Sequence, residues 1–311
     1  MDQFFEDFPA PKDFQATCER VTKFVEHHQS TKKSVVLVTS GGTAVPIESR
    51  TVRFIDNFST GTRGAASTEY FLAEDYAVIF LQRSKSAKPF LRHFPDESLF
   101  DLFTLTTEDD SDAASVQVNP SHRVKVCQLV KARQEALSSN SLLIIPFFSL
   151  QDYLYLLRGI SEALSLLRHS AMIFLAAAVS DFYIPRDELP EHKLQSSHGP
   201  PQIKLSAVPK MLVFLIHHWA PEAFVVSFKL ETDPKLLIGK SRKALETNKH
   251  QVVVANILEQ RRKMVTLVTP DSETNIVLSD EQLHAGKEVE EPLVANLVSR
   301  HATFIQDNEG R

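Results

Sequence analysis

The sequence predicts an α/β protein built on a mainly parallel, doubly wound β-sheet. Short apolar runs rich in β-branched residues alternate with longer stretches of helical periodicity, which is typical of parallel strands joined by helices. Several short runs are apolar at almost every position, as expected of strands covered on both faces. A chain of 311 residues with 43% hydrophobic residues can bury such a core.

The elements follow one another in a regular order. Strands are predicted at residues 33–39, 77–82, 142–148, 171–176, 224–228 and 252–255, and helices at 61–74, 123–137, 150–167, 209–218 and 234–248. Two further strand-like runs, 264–269 and 275–278, are joined through Pro270-Asp271-Ser272. Because these three residues favour turns, the pair predicts a C-terminal hairpin.

Three segments interrupt the alternation. Residues 50–60 make a longer connection than is usual between a strand and its helix. Residues 108–121 are acidic and contain serine, which predicts a mobile surface insertion. Residues 181–201 are rich in proline and follow a strand directly, where parallel sheets place ligand-binding loops. We divide the chain into an N-terminal helical extension, 1–32, and a single domain, 33–311.

Bulk properties narrow the class of protein. The net charge of -5 gives no electrostatic case for a nucleic-acid or anionic-membrane partner. The two cysteines, Cys18 and Cys127, are far apart and predict neither a zinc site nor a disulfide framework. The N-terminus lacks the pattern of a signal peptide, and the apolar runs are too short to span a membrane. We therefore expect a cytoplasmic protein.

Two glycine-containing loops flank the first strand–helix unit and predict a phosphate site. The first strand runs into Gly41 and Gly42, where the lack of side chains lets backbone amides approach an anion closely. The second loop, Ser59 to Gly64 with Gly61 between them, lies where a helix should begin, and helix N-termini bind phosphate. Alternatively, the first loop is a simple tight turn and a hydroxyl residue of the second is only a helix cap.

The loops do not match the best-known nucleotide motifs. A Walker A loop is excluded because no Gly-Lys-Ser/Thr follows at the required spacing. Against the dinucleotide fingerprint, Ser59 stands where the first glycine belongs. Arg83, after the next strand, could bind the extra phosphate of NADP, so an NADP-dependent oxidoreductase stays open as an alternative. Neither Tyr153 nor Tyr155 has the lysine four residues later that carbonyl reduction would favour.

Further candidate residues follow later strands. Ala176-Ala177-Ala178 would form a smooth wall for an extended ligand, and Asp181 just beyond could bind Mg²⁺ or accept hydrogen bonds from a substrate. Lys193 lies in the following loop. Phe228 and Asn256 lie at two more strand ends, where an aromatic ring can stack on a base and an amide can hydrogen-bond its edge. Taken singly, Asp181 is also explained as a helix cap or a turn residue and Lys193 as a solvated charge, and Phe228 and Asn256 are weak signals.

Together the segments closely resemble the phosphopantothenate–cysteine ligases of the stand-alone eukaryotic type. The resemblance extends from Lys33 to the C-terminal helix and rests on six motifs in one order. They are Val38-Thr-Ser-Gly-Gly-Thr43, Val52-Arg-Phe-Ile-Asp-Asn-Phe-Ser-Thr-Gly61, Ala176-Ala-Ala-Val-Ser-Asp181, Glu191-His-Lys193, Ser227-Phe-Lys-Leu-Glu-Thr232 and Val254-Ala-Asn256.

The resemblance implies a fold, a reaction and an assembly. The implied fold is a three-layer α/β/α sandwich with a Rossmann-like sheet. The implied reaction joins 4′-phosphopantothenate to L-cysteine in coenzyme A biosynthesis, cleaving ATP to AMP and pyrophosphate through an acyl-adenylate, with Mg²⁺ on the phosphates. The family forms homodimers with sites near the interface. A non-catalytic nucleotide-binding sensor is a second alternative, although such a sensor would not need residues for acyl activation.

The resemblance also implies roles for individual residues. The implied triphosphate-binding residues are Gly41, Gly42, Ser59, Gly61 and Gly64. Phe228 and Asn256 match the nucleotide-base pocket, and Ala177, Ala178 and Asp181 match substrate-contacting positions. Asn57 matches the asparagine that hydrogen-bonds the activated acyl group or the substrate amide, and Lys193 matches a loop lysine that can fold over the phosphates. A helix lysine near Lys243 is also expected to meet the phosphates. The resemblance leaves the metal ligands unidentified.

This chain departs from bacterial relatives in two respects. Its loop has His192-Lys193 followed by Gln195-Ser196-Ser197, where the bacterial proteins have more lysines. The preference for ATP over CTP therefore rests on the eukaryotic likeness alone. The chain is also too short to include the flavin-binding decarboxylase domain that bacterial relatives often carry.

Overall fold

The computed structural model describes residues 2–94, 99–107 and 114–309. Fourteen strands occur in these ranges. They are β1 (Val35–Ser40), β2 (Ala44–Pro46), β3 (Phe54–Asp56), β4 (Ala77–Arg83), β5 (Phe103–Thr107), β6 (Ala114–Val118), β7 (Leu142–Phe147), β8 (Ala171–Leu175), β9 (Phe182–Tyr183), β10 (Ser206–Ala207), β11 (Phe224–Glu231), β12 (Val252–Ile257), β13 (Met264–Val268) and β14 (Glu273–Val277).

Helices lie between most of these strands. They are α1 (Asp2–Asp7), α2 (Phe14–Ser30), α3 (Thr62–Ala73), α4 (Arg123–Ser138), α5 (Leu150–Leu164), α6 (Met211–Phe214), α7 (Pro234–Asn248), α8 (Asp280–His284) and α9 (Glu290–Asn308). Among the described residues, every helix is too short or too polar to cross a lipid bilayer.

The central sheet has eight strands in the order β14-β13-β12-β11-β8-β1-β4-β7. The six strands from β12 to β7 are all parallel. β13 runs antiparallel to β12, and β14 antiparallel to β13, so the predicted C-terminal hairpin extends one edge of the sheet. The predicted mainly parallel sheet is confirmed.

Helices cover the sheet on both faces. Side chains alternate between the two faces along each strand, so an apolar strand presents apolar side chains on both. In β1, Val35 and Leu37 join the apolar core beneath α2 and α5, whereas Val36 and Val38 join the core beneath α3 and α9. A smaller cluster packs α7 onto β12 and β13. Two cores on either side of one sheet make the predicted three-layer α/β/α sandwich.

The N-terminal helices contribute to the first core. Phe4, Phe8, Val21 and Phe24 are buried there. The Tyr155 hydroxyl of α5 lies within hydrogen-bond distance of two carbonyl oxygens of the segment, at 2.6 Å from Phe5 and 2.7 Å from Phe8. Residues 1–32 were predicted as a helical extension, and α1 and α2 pack closely on the rest of the chain.

Some connections differ from the predicted pattern. The predicted helix 209–218 is one α-turn followed by a π-helical turn, Leu215–Trp219, which leaves Leu215, Ile216 and Trp219 all buried. Three two-stranded antiparallel sheets, β2–β3, β5–β6 and β9–β10, lie outside the main sheet. In the predicted insertion 108–121, residues 114–118 form β6, and 108–113 lie outside the described residues. The mobility of this insertion stays a prediction.

Two of the three buried histidines among the described residues have a strongly lowered pKa. His301 of α9 contacts the Tyr76 hydroxyl at 2.7 Å and the His169 carbonyl oxygen at 2.8 Å. His250 lies 2.7 Å from the Ser227 hydroxyl. Burial lowers the pKa of each imidazole from 6.5 to about 4, because the protonated form would lose its hydration. Both side chains are therefore neutral in the folded protein at neutral pH.

This burial should make the fold sensitive to acid. Between about pH 6.5 and pH 4 the unfolded chain binds protons that the folded chain does not, so stability falls as pH falls. Each histidine contributes up to about 3 kcal/mol to this loss. His301→Gln should shrink the decline in the free energy of unfolding over that range, measured by urea titration at several pH values. The exposed His217→Gln should leave the decline unchanged; an equal effect of both variants would contradict the explanation.

Candidate active site

A cleft of about 1100 Å³ opens at the carboxyl edge of the parallel strands. The loops after β1, β8, β11 and β12 converge there because parallel strands all end at the same edge. Eight predicted site residues line the cleft: Asn57, Ser59, Gly61, Ala177, Ala178, Asp181, Phe228 and Asn256. Gly41, Gly42, Gly64 and Lys193 lie outside its lining.

The loops after β1 and β8 are joined by their backbones. The Ala178 N–H donates to the Gly41 carbonyl (2.8 Å), and the Thr43 N–H donates to the Ala178 carbonyl (3.1 Å). The Ala177 N–H donates to the Thr39 hydroxyl (3.1 Å). These bonds fix the position of the alanine wall relative to the first glycine loop.

Gly41 and Gly42 make this close packing possible. Gly41 has a φ of +88°, a conformation that favours glycine. A Cβ at Gly42 would lie 1.7 Å from the Asn57 carbonyl oxygen, so only glycine lets residue 57 approach. The Asn57 N–H in turn donates to the Thr43 carbonyl (3.2 Å). Both glycines support the walls of the cleft, and their contact with phosphate stays a prediction.

The N-terminus of α3 faces the cleft without a side-chain cap. Gly61 occupies the N-cap position with a φ of 76°, and Thr62 and Arg63 after it line the cleft. The first backbone N–H groups of a helix have no partner within it, so this end attracts anions. The hydroxyl residues therefore do not cap the helix. Gly64 packs on Ser40, where a Cβ would lie 2.5 Å from the serine Cβ.

Phe228 and Asn256 line the cleft from the neighbouring strands β11 and β12. β11 continues to Glu231, so Phe228 lies within the strand and not at its predicted end. The Phe228 ring packs edge-on against Phe174, with centroids 4.9 Å apart, and its remaining surface lines the cleft. The Asn256 amide donates to the Lys229 carbonyl (2.9 Å), which fixes its orientation. The arrangement offers an aromatic face beside an amide, as the sequence predicts for a base pocket.

Basic side chains dominate the cleft. Its lining includes seven of them, Arg63, Lys210, Lys229, Lys240, Lys243, Arg261 and Arg262, against two acidic ones, Asp181 and Glu290. Glu231, just outside the lining, partly balances this charge: it lies 2.9 Å from Lys240 and 3.4 Å from Lys229. The hydrogen bond from Lys240 lowers the pKa of Glu231. Such an excess of positive charge suits a polyanionic ligand.

Lys193 is exposed on a segment tethered to the loop before β3. The Ser49 and Arg50 N–H groups donate to the carbonyls of Pro190 (2.9 Å) and Glu191 (3.1 Å). Arg53 pairs with the buried Glu48 at 2.8 Å. Burial opposes ionisation of Glu48, but hydrogen bonds from the backbone N–H groups of Arg53 and Val52 lower its pKa overall. The structure does not bring Lys193 into the cleft.

Arg83 is committed to other contacts. Its guanidinium donates to the Gly42 carbonyl (2.6 Å) and to the Asp56 carboxylate (2.7 Å). It also lies over the Phe148 ring, 4.6 Å from the centroid. These contacts leave it unsuited to bind the extra phosphate of NADP.

The described residues fit Mg²⁺ only as an ion carried by phosphates. Within residues 2–94, 99–107 and 114–309, no three His, Cys, Asp or Glu side chains cluster as metal ligands. Of the two carboxylates in the cleft, Glu290 pairs with Arg63, and Asp181 is exposed. Mg²⁺ commonly takes one or two carboxylates together with substrate phosphates and water. Asp181 is therefore the candidate protein ligand.

Comparison with known proteins identifies the family. Residues 160–303 match the DNA/pantothenate metabolism flavoprotein C-terminal domain. The chain is 48% identical over 301 residues to phosphopantothenate–cysteine ligase from Homo sapiens, covering 97% of both chains. The chain belongs to the phosphopantothenate–cysteine ligase family. It is also 42% identical over 308 residues to ligase 1 of Arabidopsis thaliana, covering 98% of this chain and 95% of the relative.

Solved structures agree with this assignment. A Cab2 mutant in complex with phosphopantothenate-cysteine has a TM-score of 0.89 and 35% identity, covering 99% of this chain. A DNA/pantothenate metabolism flavoprotein from Streptococcus pneumoniae, at 19% identity and a TM-score of 0.58, shares the fold. The prediction of a phosphopantothenate–cysteine ligase is confirmed over the oxidoreductase and the sensor.

Most basic residues of this ligase cleft were not predicted. Arg63 lies inside the second glycine motif, and Arg261 and Arg262 lie four and five residues after the end of β12, so proximity to a motif was the available signal. Lys240 and Lys243 lie one turn apart on α7, and only Lys243 was expected. Glu290 carried no signal, because α9 begins far from every motif in sequence.

Two helical glycines provide a matched test of packing in the ligase site. A Cβ at Gly64 would meet Ser40, whereas a Cβ at Gly239 of α7 would meet nothing within 4 Å. Gly64→Ala should lower the free energy of unfolding by about 1–3 kcal/mol because the core is overpacked. Gly239→Ala should raise it by up to about 1 kcal/mol through helix propensity. Urea denaturation measures both.

A second substitution makes the cause specific. Adding Ser40→Gly to Gly64→Ala removes the side chain that the new Cβ would meet, so stability should recover in part. Equal behaviour of the two alanine variants would contradict the packing role of Gly64.

Proposed function

We propose that the chain joins 4′-phosphopantothenate to L-cysteine in coenzyme A biosynthesis, cleaving ATP to AMP and pyrophosphate. The observation that carries this proposal is a single cleft combining an uncapped helix N-terminus, an aromatic–amide pocket, an alanine wall and an excess of positive charge. The helix N-terminus and the positive charge suit a triphosphate, the aromatic–amide pocket suits a base, and the alanine wall suits an extended acyl substrate.

The proposed reaction has two displacements. A carboxylate oxygen of 4′-phosphopantothenate attacks the α-phosphorus of ATP, and pyrophosphate leaves, which gives an acyl-adenylate. The amine of cysteine then attacks the acyl carbon, forms the amide, loses a proton and expels AMP. The attacking carboxylate is already ionised at neutral pH, so the first step needs no general base. It needs stabilisation of charge on the phosphates.

The chain's residues would supply that stabilisation from several sides. The free N–H groups at the start of α3 and the side chains of Lys240 and Lys243 would contact the triphosphate. Mg²⁺, with Asp181 as its protein ligand, would neutralise phosphate charge. Ser59, Gly61, Phe228 and Asn256 would complete the nucleotide site. Lys193 would reach the phosphates only after a movement of its segment.

Asn57 would hold the acyl group. Its backbone is fixed by Gly42 and Thr43, so its side chain starts from a defined position in the cleft. Ala177 and Ala178 would lie along the pantothenate arm, because their small side chains leave room for it. A side chain that is already positioned loses little conformational entropy when the substrate binds, and this favours catalysis.

We further propose a cytoplasmic homodimer. Apolar side chains are exposed on and beside β3, including Val52 (57%), Phe54 (42%), Ile55 (37%) and Phe58 (86%). Several exposed apolar side chains on one short segment favour association with a second copy. Phe58 also lines the cleft, so a subunit interface there would adjoin the site. Cys18 and Cys127 are free thiols, which suits a reducing compartment.

Pyrophosphate release tests the reaction. With Mg²⁺, 4′-phosphopantothenate and L-cysteine, the purified protein should form AMP, pyrophosphate and the amide in equal amounts. ATP should support faster turnover than CTP. Folded protein that releases no pyrophosphate with either nucleotide would rule out the proposed activity.

Phe228→Ala tests the base pocket. Loss of a stacking ring costs about 1–3 kcal/mol per base, so KM for ATP should rise roughly 10-fold or more. KM for 4′-phosphopantothenate should change far less. Phe228→Tyr, which keeps the aromatic face, should retain most of the affinity for ATP. A parallel loss for both substrates would indicate general damage instead.

A further inference from the structure

The base pocket contains a pair of charged side chains without an assigned role. Arg63 and Glu290 both line the cleft beside Phe228, and Arg63 lies 5.9 Å from the ring centroid. The Arg63 Nη1 atom is 3.0 Å from the Glu290 Oε1 atom, and the two side chains are only 16% and 12% exposed. A largely buried ion pair therefore lies beside the aromatic face of the cleft.

Arg63 is held in place by several groups, and it holds Glu290 in turn. Its second terminal nitrogen donates to the Arg261 carbonyl oxygen. Burial raises the pKa of Glu290 above its usual value, and the neighbouring Arg63 charge reduces that rise without cancelling it. The pairing therefore favours a carboxylate that can only accept hydrogen bonds.

Nucleotide bases differ in what they present to such a carboxylate. Adenine and cytosine carry an exocyclic amine, a hydrogen-bond donor, where guanine, hypoxanthine and uracil carry a carbonyl oxygen, an acceptor. An ionised carboxylate would pair with the amine and repel the carbonyl. Rejection is strong when a site's buried polar group is left without its partner.

We propose that Glu290, oriented by Arg63, accepts a hydrogen bond from the exocyclic amine of the nucleotide base. The pocket thereby selects nucleoside triphosphates with amino bases over those with keto bases. This inference rests on the proposed function for the identity of the reaction, and it adds the specificity of the same site.

A purely structural role for the pair is the competing explanation. Arg63 and Glu290 join α3 to α9, but a second network already joins them. Arg92 contacts Glu69 of α3 at 2.8 Å, and it also pairs with Glu288 just before α9. Glu288 lies outside the cleft lining and bonds both Arg92 and the Tyr70 hydroxyl, so it serves as a matched control.

The first measurement compares ATP with ITP, which replaces the amine by a carbonyl on the same purine. The wild-type protein should favour ATP over ITP in kcat/KM by about 100-fold, since a charged hydrogen bond is exchanged for a repulsive contact. CTP should likewise exceed UTP. Equal use of ATP and ITP by the wild-type protein would overturn the proposal without any variant.

The second measurement repeats the comparison in Glu290→Gln and Glu288→Gln. Glutamine can also donate to a carbonyl, so Glu290→Gln should shrink the ATP/ITP ratio about 10-fold or more. Glu288→Gln should keep the wild-type ratio even if it lowers stability. An unchanged ratio in folded Glu290→Gln, or an equal change in both variants, would overturn the proposal.

Calorimetric binding of ATP and ITP separates this inference from the ligase activity. Preferential ATP binding that depends on Glu290, in protein without turnover, would support the inference while the proposed reaction failed. Turnover with equal binding and equal use of ATP and ITP would support the ligase reaction and overturn the proposed role of Glu290.

Discussion

The close contact of backbone segments above β1 and β8 is the constraint on which the cleft depends. Gly42 allows residue 57 to approach to a distance that any Cβ would prevent, and the Gly41–Ala178 hydrogen bond joins the same loops. Asn57 and the alanine wall owe their positions to this contact. Because the segments are loops, the parallel sheet beneath must be rigid for the contact to have a fixed geometry, and both of its cores serve that purpose.

The charge of the cleft links binding to folding. Seven basic side chains against two acidic ones repel each other when no anion is bound, and only part of that repulsion is relieved by Glu231 and Glu290. A bound polyanion relieves the rest, so it stabilises the folded chain in proportion to its affinity. In the absence of an anion, the packing of the surrounding sheet and helices must therefore offset the repulsion within the cleft.

Periodicity predicted the elements that packing reinforces. The helix at 234–248 was predicted with its observed bounds, because Asp233 caps it and Pro234 suits its first turn. The sequence also predicts Gly61 and Asn256 as site residues, because each lies in a motif of consecutive residues. Local patterns do not predict features that depend on contacts between distant residues. Examples are the pairing of β5 with β6, the π-turn at 215–219 and the pairing of Arg63 with Glu290.

The aromatic residues of α1 impose an order on the maturation of the chain. Phe4 packs on Tyr183 with ring centroids 5.2 Å apart, and Phe5 approaches Trp219 at 6.4 Å. A ribosome makes these phenylalanines first and their partners much later. The aromatic residues of α1 therefore lack their complete packing site until synthesis has passed Trp219. Helix α1 is thus among the last parts of the first core to be buried.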